Sequence, residues 1–157
     1  MLGFKYGERI KIRQAGLFYL KKVLIMLRGE INYNISELNE VFRVLMERTE
    51  GDFKKFFENL HDRTDKIYEN TISTYWKEEV DRCLLNDCFT KEDIMRIKEL
   101  GENIGYLDRE MQINSIDYIL EYIDGEIDRL NLSVDKNVKM YKMLGILSGV
   151  FLAIILC

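Results

Sequence analysis

Proline is absent from all 157 residues of the chain. Proline interrupts helix interiors and is common in turns, so a chain without it, with apolar residues at helical spacing, favours long helices. Charged residues make up 32% of the sequence and hydrophobic residues 47%, which is enough for one hydrophobic core. The sequence therefore predicts an all-α protein with one folded domain and a separate C-terminal segment.

Histidine and cysteine, the usual residues of zinc sites and of Cys/His catalytic pairs, are also few. The chain has one histidine, His61, which we expect to be exposed, and three cysteines, Cys83, Cys88 and Cys157. The spacing of the first two cysteines fits no common zinc motif, so we predict reduced, cytoplasmic cysteines that serve as small apolar residues. There is no Gly-rich phosphate loop and no Ser/His/Asp or Cys/His arrangement. The sequence therefore predicts no metal, no cofactor, no small-molecule substrate and no catalytic site.

Helical spacing predicts about six helices in an antiparallel bundle. The first covers about 6–31, and Arg13 interrupts its heptad seam. That seam consists of Ile10, Leu17, Leu20, Leu24, Leu27 and Ile31. Ser36 is the predicted cap of a second helix, and Asp52 that of a third over about 52–62. The core face of the second helix is predicted to hold Leu38, Val41, Phe42, Leu45 and Met46.

The fourth and fifth helices are predicted from a lone tryptophan and a capping motif. The fourth runs from Thr64 to about Leu85 with Trp76 as an anchor in the core. Thr90 and Asp93 resemble a capping box, with Asp in place of the usual Glu, at the start of the fifth helix.

The last helix has the most regular spacing in the chain. The fifth helix is expected to end near Gly105, and Asp108 is expected to cap the sixth. The core-facing residues of this sixth helix are predicted to be Ile113, Ile116, Leu120, Ile123, Ile127, Leu130 and Val134. Only residues 131–135 offer a break before the C-terminal segment. The first and last helices either pair as an antiparallel stalk or belong to a plain bundle, because periodicity alone fits both.

The last fifteen residues, 143–157, contain no charged side chain. As a helix they extend about 22 Å, somewhat short of a comfortable membrane span. Four residues typical of a membrane boundary precede them, namely Lys136, Lys139, Tyr141 and Lys142. Because basic flanks tend to stay cytoplasmic, we predict a cytoplasmic domain over 1–142, a transmembrane segment over 143–157 and a location in the cell membrane. A buried core helix is the alternative, but such helices are rarely apolar on every face.

Charge is distributed unevenly along the chain. Residues 1–30 contain seven Lys/Arg and two Asp/Glu. Residues 31–135 contain thirteen Lys/Arg and twenty-five Asp/Glu, which gives this part a net charge of −12. An anionic lipid surface attracts basic segments and repels an acidic body, so both ends are expected to meet the membrane. Nucleic acid is an improbable partner for such an acidic body.

Two acidic pairs resemble one class of enzyme. Glu99 and Glu102 precede Glu121 and Asp124 in a spacing similar to that of all-α nucleotide pyrophosphohydrolases, which hold Mg²⁺ between facing helices. Such pairs recur by chance in a chain with twenty-seven acidic residues. A solvated acidic face is therefore the favoured interpretation.

Three stretches resemble a known family when they are taken together. They are LRGEINYNISELNEVF at 27–42, ELGENIGYLDREMQ at 99–112 and KMYKMLGILSGVFLAIIL at 139–156. The matching positions are Glu30, Ile31, Tyr33, Leu100, Gly101, Ile104, Gly105, Asp108, Gln112, Lys139, Tyr141, Lys142, Leu144, Gly145 and Gly149. The chain thereby resembles the stage III sporulation protein AB family of endospore-forming bacteria.

The resemblance implies a fold and a role. The family is similar to the helical cytoplasmic domain of the type II secretion inner-membrane platform protein F. It implies a non-enzymatic component of the channel complex between mother cell and forespore, beside a secretion-type ATPase, stage III sporulation protein AA, and other channel components. The family normally begins with a transmembrane helix, whereas this chain begins with MLGFKYGERIK, which resembles the sequence just after it.

Two alternatives accompany this resemblance. The motif around Gly101, Gly105, Asp108 and Gln112 is either an interface or a helix corner, with Gly105 in the left-handed conformation that ends a helix. The protein as a whole could instead be a tail-anchored helical adaptor without a role in sporulation.

Overall fold

The computed structural model describes residues 2–33, 37–64, 72–106 and 108–156, and these contain six α-helices and no strand. In chain order they are α1 (Leu2–Tyr33), α2 (Leu38–Arg48), α3 (Gly51–Thr64), α4 (Ile72–Glu79), α5 (Lys91–Tyr106) and α6 (Arg109–Leu156). A π-helical turn, Val80–Leu84, continues α4. The predicted all-α class is confirmed.

The helices α1 and α6 run antiparallel and form the long axis of the protein. Their side chains meet in steps of seven residues on both helices, through the pairs Gln14–Asn131, Lys21–Asp124 and Arg28–Asp117. The predicted heptad seam of α1 is buried along its whole length, from Ile10 to Ile31. On the facing side of α6, Ile116, Ile119, Ile123 and Ile127 are buried. The seam predicted from sequence is therefore the contact between these two helices.

The pair extends beyond the other helices at one end. On α6, Val134 was predicted to face the core but is 37% exposed, and residues before Ile10 on α1 are largely exposed as well. The helices still touch there, since the Tyr141 hydroxyl lies so close to Gly3 that a Cβ on Gly3 would be 2.6 Å from it. Helices α2–α5 pack beside the opposite part of the pair. The structure thus favours the stalk over the plain bundle.

Aromatic side chains fill the core between α2, α3, α4 and α5. Trp76 is 2% exposed and donates its indole N–H to the Ile97 carbonyl at 2.7 Å. Its ring meets Phe56 edge to face with centroids 4.9 Å apart, and Phe42 lies at 6.3 Å. Such pairs add to the stabilisation from burial alone. The prediction that Trp76 anchors the core is confirmed.

Several predicted helix limits differ from the structure. The first helix is longer than the predicted 6–31 and covers Leu2–Tyr33. Asp52 does not cap α3, which begins at Gly51 with φ +61°; instead Asp52 accepts a hydrogen bond from Asn86 at 3.1 Å. The Ser36 cap and the part of the fourth helix over 65–71 lie outside the described residues. Glu37 precedes α2 without a side-chain cap.

The fourth helix ends in the π-helical turn rather than as a regular α-helix to residue 85. Glu79, at the start of this turn, is fully buried and lies within ion-pair distance of Arg63 and Arg82, at 3.3 and 3.1 Å. Asn59 donates to Glu79 at 2.7 Å. A buried carboxylate is stable only with such partners, so Glu79 ties α3 to α4. His61 is half-buried, with Nδ1 3.2 Å from the Asn39 carbonyl oxygen, and not exposed as predicted.

Candidate functional site

Six of the motif residues lie toward one end of the α1–α6 pair: Glu30, Tyr33, Gly101, Gly105, Asp108 and Gln112. The pair Arg28–Asp117, 2.6 Å apart, brings the C-terminal turn of α1 level with the first turns of α6. The end of α5, residues 100–106, and the start of α6, residues 108–112, lie at the same end. We call this end, opposite to the one from which residues 143–156 extend, the distal end.

The corner itself is held by local hydrogen bonds. The Asp108 carboxylate accepts the backbone N–H of Met111 at 2.9 Å and caps α6, as predicted. Gln112 reaches back from α6 and donates its side-chain N–H to the Ile104 carbonyl at 2.7 Å. Both contacts satisfy backbone groups that helix ends leave unpaired. The corner interpretation therefore has a direct structural basis.

The two glycines of the motif lie inside α5, and only Gly101 serves close packing. A Cβ on Gly101 would overlap Cδ1 of Trp76 and lie 2.8 Å from its Cβ, so the indole occupies the space that any side chain needs. A Cβ on Gly105 would be 3.6 Å from Ile72 Cβ, which is an ordinary contact. The prediction of a left-handed Gly105 is wrong, because only Gly51 has a positive φ among the described residues. The helix continues past Gly105 to Tyr106.

The two motif residues on α1 have different environments. Glu30 pairs with Arg48 of α2 at 2.8 Å and is 13% exposed in its side chain. Tyr33, at the last position of α1, is 90% exposed. Glu30 thus has a structural role, whereas Tyr33 is available to a partner.

Replacing Asp108 with alanine is expected to lower the free energy of unfolding by about 1 kcal/mol, through loss of the α6 cap. Thermal unfolding of the full chain in detergent, followed by circular dichroism, measures the change. Glu110→Ala, an exposed substitution two residues further on, is the control. An unchanged stability together with lost sporulation would assign Asp108 to an interface instead.

A buried charge cluster joins α1, α5 and α6, and sequence reasoning missed it. Arg13 contacts Asp93 at 3.1 Å and Glu126 at 2.8 Å, and the side chains of these residues are 18%, 0% and 10% exposed. The Tyr122 hydroxyl also donates to Asp93 at 2.7 Å. The predicted capping box is confirmed, since Asp93 accepts the Thr90 backbone N–H at 2.8 Å and the Thr90 hydroxyl accepts that of Asp93 at 3.2 Å.

Two features of the sequence signalled this cluster. Arg13 interrupts the seam of α1, and Glu126 is seven residues beyond Ile119 and three beyond Ile123, on the buried face of α6. A charged residue at a core position of each of two facing helices indicates a buried ion pair. The third member, Asp93, was recognised only as a cap.

The whole chain matches a known family. The sequence profile of the stage III sporulation protein AB family matches residues 1–157. The chain belongs to this family. It is also similar to "Stage III sporulation protein AB" of Bacillus subtilis (strain 168), with 24% identity over 154 residues, which cover 98% of this chain and 90% of the relative. No solved structure matches the chain, so the likeness to the type II secretion platform stays a prediction.

For this member of the stage III sporulation protein AB family, a role associated with sporulation follows, and the family name denotes no enzyme. One residue of each acidic pair is in a close ion pair with a cation of the protein itself: Glu102 pairs with Lys77, and Asp124 with Lys21 at 2.6 Å. Within the described ranges, no group of three His, Cys, Asp or Glu residues is placed to hold a metal ion. The acidic pairs are therefore better described as a solvated, ion-paired face.

The α6 helix of this family member passes from the bundle into the apolar segment without a break. Among the described helices it alone is long and apolar enough to cross a membrane, with an 18-residue window of mean hydropathy 1.7, none of it buried. Lys136, Lys139, Tyr141 and Lys142 all lie on this helix and are exposed. The alternative of a buried C-terminal core helix is wrong, because residues 143–156 are exposed on every face.

The protonation of Asp93 provides a test of the charge cluster. Burial alone would raise the pKa of Asp93, but hydrogen bonds from Arg13, Thr90 and Tyr122 outweigh burial and hold this pKa below its usual value. A carboxyl with a depressed folded-state pKa stabilises the protein above its unfolded pKa, and this stabilisation is lost as the pH falls through the folded value.

We therefore expect Asp93→Asn to destabilise the full chain by a constant amount between about pH 5 and 7, with the difference from the unsubstituted chain shrinking below about pH 4. Urea unfolding of both chains across this range measures it. A difference that persists unchanged in acid would mean that the charge of Asp93 does not contribute.

Proposed function

We propose that this protein is a non-enzymatic, membrane-anchored structural component of the sporulation channel complex that links mother cell and forespore. Its body, residues 1–142, lies on the cytoplasmic side of the mother-cell membrane, and residues 143–157 cross that membrane. There it acts as a platform beside a secretion-type ATPase, stage III sporulation protein AA. Membership of the stage III sporulation protein AB family supports this proposal, as does the basic flank, because such flanks stay cytoplasmic.

The continuity of α6 is the observation that carries the proposal. One helix of 48 residues, about 72 Å long, contributes the buried face of the body and then the exposed apolar segment. A membrane-tethered enzyme can use a flexible linker, whereas a scaffold transmits position and benefits from a stiff connection. The continuous helix holds the distal end and the apolar segment on one stiff axis.

The distal end is the surface that we assign to the ATPase. Tyr33 is almost fully exposed there, and Met111 and Tyr118 of α6 are 50% and 58% exposed. Large aromatic residues are enriched at the centres of protein interfaces. The surrounding body is acidic, and complementary rim charges would speed and orient the approach of a basic partner surface.

Binding between the full chain, purified in detergent, and the ATPase encoded nearest to it tests this assignment. We expect the affinity to fall between roughly 50 and 500 mM salt, because the Debye length shortens several-fold over that range. Tyr33→Ala should weaken binding without changing the melting temperature. Phe18→Ala removes an aromatic side chain that is 52% exposed elsewhere on α1 and is the matched control.

A pull-down from sporulating cells, with the full chain and with a chain truncated after residue 142, extends the test to the other channel components. Recovery of the ATPase that does not depend on Tyr33, or an affinity that is equal at both salt concentrations, would contradict the assigned surface. Failure to recover any channel component would contradict the proposed function. It would favour the alternative of a tail-anchored helical adaptor without a role in sporulation.

A further inference from the structure

The helices α1 and α6 each have a second regular row of residues on the side that faces solvent. On α1 the row is Lys11, Ala15, Phe18, Lys22 and Ile25, and on α6 it is Glu121, Gly125, Asp128, Leu132 and Asp135. Both rows advance in the same steps of four, three, four and three residues, which keeps each row on one side of its helix. All ten residues are exposed. We call the two rows together the pair face.

The two rows lie side by side on one surface of the α1–α6 pair. Gln14 and Lys21 of α1 reach across to Asn131 and Asp124 of α6. Each row residue comes one position after or three positions before the place of such a bridging residue, so it is turned by about 60–100° away from the bridge. Because the helices are antiparallel, this turn brings both rows to the same side of the pair.

The rows have opposite charges. The α1 row contains two lysines and no acidic residue, and the α6 row contains three acidic residues and no basic one. Within the part of the chain that the structure describes, Lys11, Glu121, Asp128 and Asp135 have no ion-pair partner, whereas the bridging residues are paired. These charges are therefore available to another molecule.

A second copy of the chain would present the complementary arrangement. If that copy is rotated by half a turn about an axis parallel to the pair, its α6 row faces the α1 row of the first copy, and its α1 row faces the α6 row. A pure rotation adds no shift along the axis. Residues at the same level of the α1–α6 pair therefore meet across the contact.

The charged residues of the two rows coincide in level. The bridging pairs Gln14–Asn131 and Lys21–Asp124 define which residues are level with each other. At about 1.5 Å per residue, Lys11 is within about 1.5 Å of Asp135 along the axis, and Lys22 is within about 3 Å of Glu121. In a two-fold pair each of these attractive contacts occurs twice.

The apolar residues of the rows are also level with suitable neighbours. Leu132 is 62% exposed and lies within about 3 Å of the level of Ala15. Phe18 is 52% exposed and is level with the gap between Gly125 and Asp128. A Cβ on Gly125 would meet nothing within 4 Å, so there is room for an aromatic ring. Asp128 alone of the α6 row has no cation of the α1 row at its level.

We propose that the pair face binds a second copy of this chain, giving a two-fold symmetric dimer in which α1 of each copy packs on α6 of the other. The axis is parallel to the α1–α6 pair, because a perpendicular axis would place the two apolar segments at opposite ends. This orientation rests on the membrane anchoring in the proposed function. The two distal ends then lie side by side and face the same way.

The size of the pair face fits a dimer within one membrane. Two adjacent helices over this length present about 20 Å by 25 Å, or about 500 Å² on each copy. The total of about 1,000 Å² is at the lower limit for a specific interface. Confinement of both copies to one bilayer raises their effective concentration, so a contact of this size is sufficient.

Sedimentation equilibrium of the full chain in detergent tests the dimer through charge reversal. We expect the unsubstituted chain to exchange between one and two copies. Lys22→Glu and Glu121→Lys each place like charges at both symmetry-related contacts and should raise the Kd of the dimer about tenfold. Lys54→Glu, an exposed substitution on α3, changes the net charge as Lys22→Glu does and should leave the Kd unchanged.

An equal mixture of the Lys22→Glu chain and the Glu121→Lys chain provides the decisive measurement. In a mixed dimer each of the two contacts again joins an acid to a base, so the original Kd should return. Charges that act only within one chain would not be restored by mixing. A mixture that associates no better than its components would therefore overturn the dimer, as would single copies at every concentration or assemblies of more than two copies.

The ATPase surface can fail independently of the pair face. Phe18→Ala should weaken the dimer but leave binding of the ATPase unchanged, because Phe18 is remote from the distal end. A chain that stays single and still binds the ATPase would overturn the dimer and leave the proposed function. A chain that pairs as expected but recovers no channel component would overturn the proposed function and support the dimer.

Discussion

Replacing Gly101 with alanine is expected to lower the free energy of unfolding by about 2 to 3 kcal/mol, although alanine is the better helix former by about 1 kcal/mol. The added methyl group would overlap Cδ1 of Trp76 and lie 2.8 Å from its Cβ. The indole cannot rotate away without losing its hydrogen bond to Ile97 and its edge-to-face contact with Phe56. Overpacking therefore outweighs the gain in helix propensity.

Two glycines are matched controls for this substitution. A Cβ on Gly105, four residues further along α5, makes only ordinary contacts, and a Cβ on Gly125 of α6 meets nothing within 4 Å. Gly105→Ala should be neutral or slightly stabilising, and Gly125→Ala stabilising by up to about 1 kcal/mol. Urea unfolding of the three variants gives the comparison.

A double-mutant cycle tests whether contact with Trp76 causes the destabilisation expected from Gly101→Ala. Trp76→Ala removes the Cγ and Cδ1 atoms that a Cβ on Gly101 would overlap, so the costs of Gly101→Ala and Trp76→Ala should be less than additive. Additive costs, or a Gly101→Ala variant as stable as Gly105→Ala, would show that Gly101 does not serve contact with Trp76.

The second large effect is expected from Arg13→Met, which should cost about 3 to 5 kcal/mol. This substitution keeps the length of the side chain but leaves Asp93 and Glu126 without their shared cation. The Asp93 side chain is fully buried, so water cannot replace the guanidinium. A buried charge without a partner is far less stable than the same charge in water.

An exposed ion pair between the same two helices provides the control. Lys21 and Asp124 are 2.6 Å apart, but their side chains are 34% and 51% exposed. Lys21→Met should cost at most about 1 kcal/mol. Neutralising the cluster with Asp93→Asn and Glu126→Gln in the Arg13→Met background should recover part of the loss. Equal costs for Arg13→Met and Lys21→Met would contradict the cluster as a buried ion network.

The sequence predictions that the structure confirms all depend on residues close together in the chain. The seam from Ile10 to Ile31, the capping box of Thr90 and Asp93 and the cap at Asp108 were all predicted correctly. Each follows from the period of one helix or from side chains within three residues of a helix start. Two local predictions failed. Asp52 does not cap α3, because that helix begins one residue earlier, at Gly51. Gly105 is not left-handed, because a glycine near a helix end does not by itself show where the helix stops, and α5 continues to Tyr106.

The tertiary structure decided what residues far apart in the chain do to one another. It brings Gly101 into contact with Trp76, Arg13 between Asp93 and Glu126, and Gly3 beside Tyr141. The sequence by itself determined the helical class, the family, the heptad contact faces and the uncharged C-terminal segment, because periodicity and composition are local properties. Only the fold determined which helix faces which, at what register and how closely, because those distances come from packing the whole chain around one core.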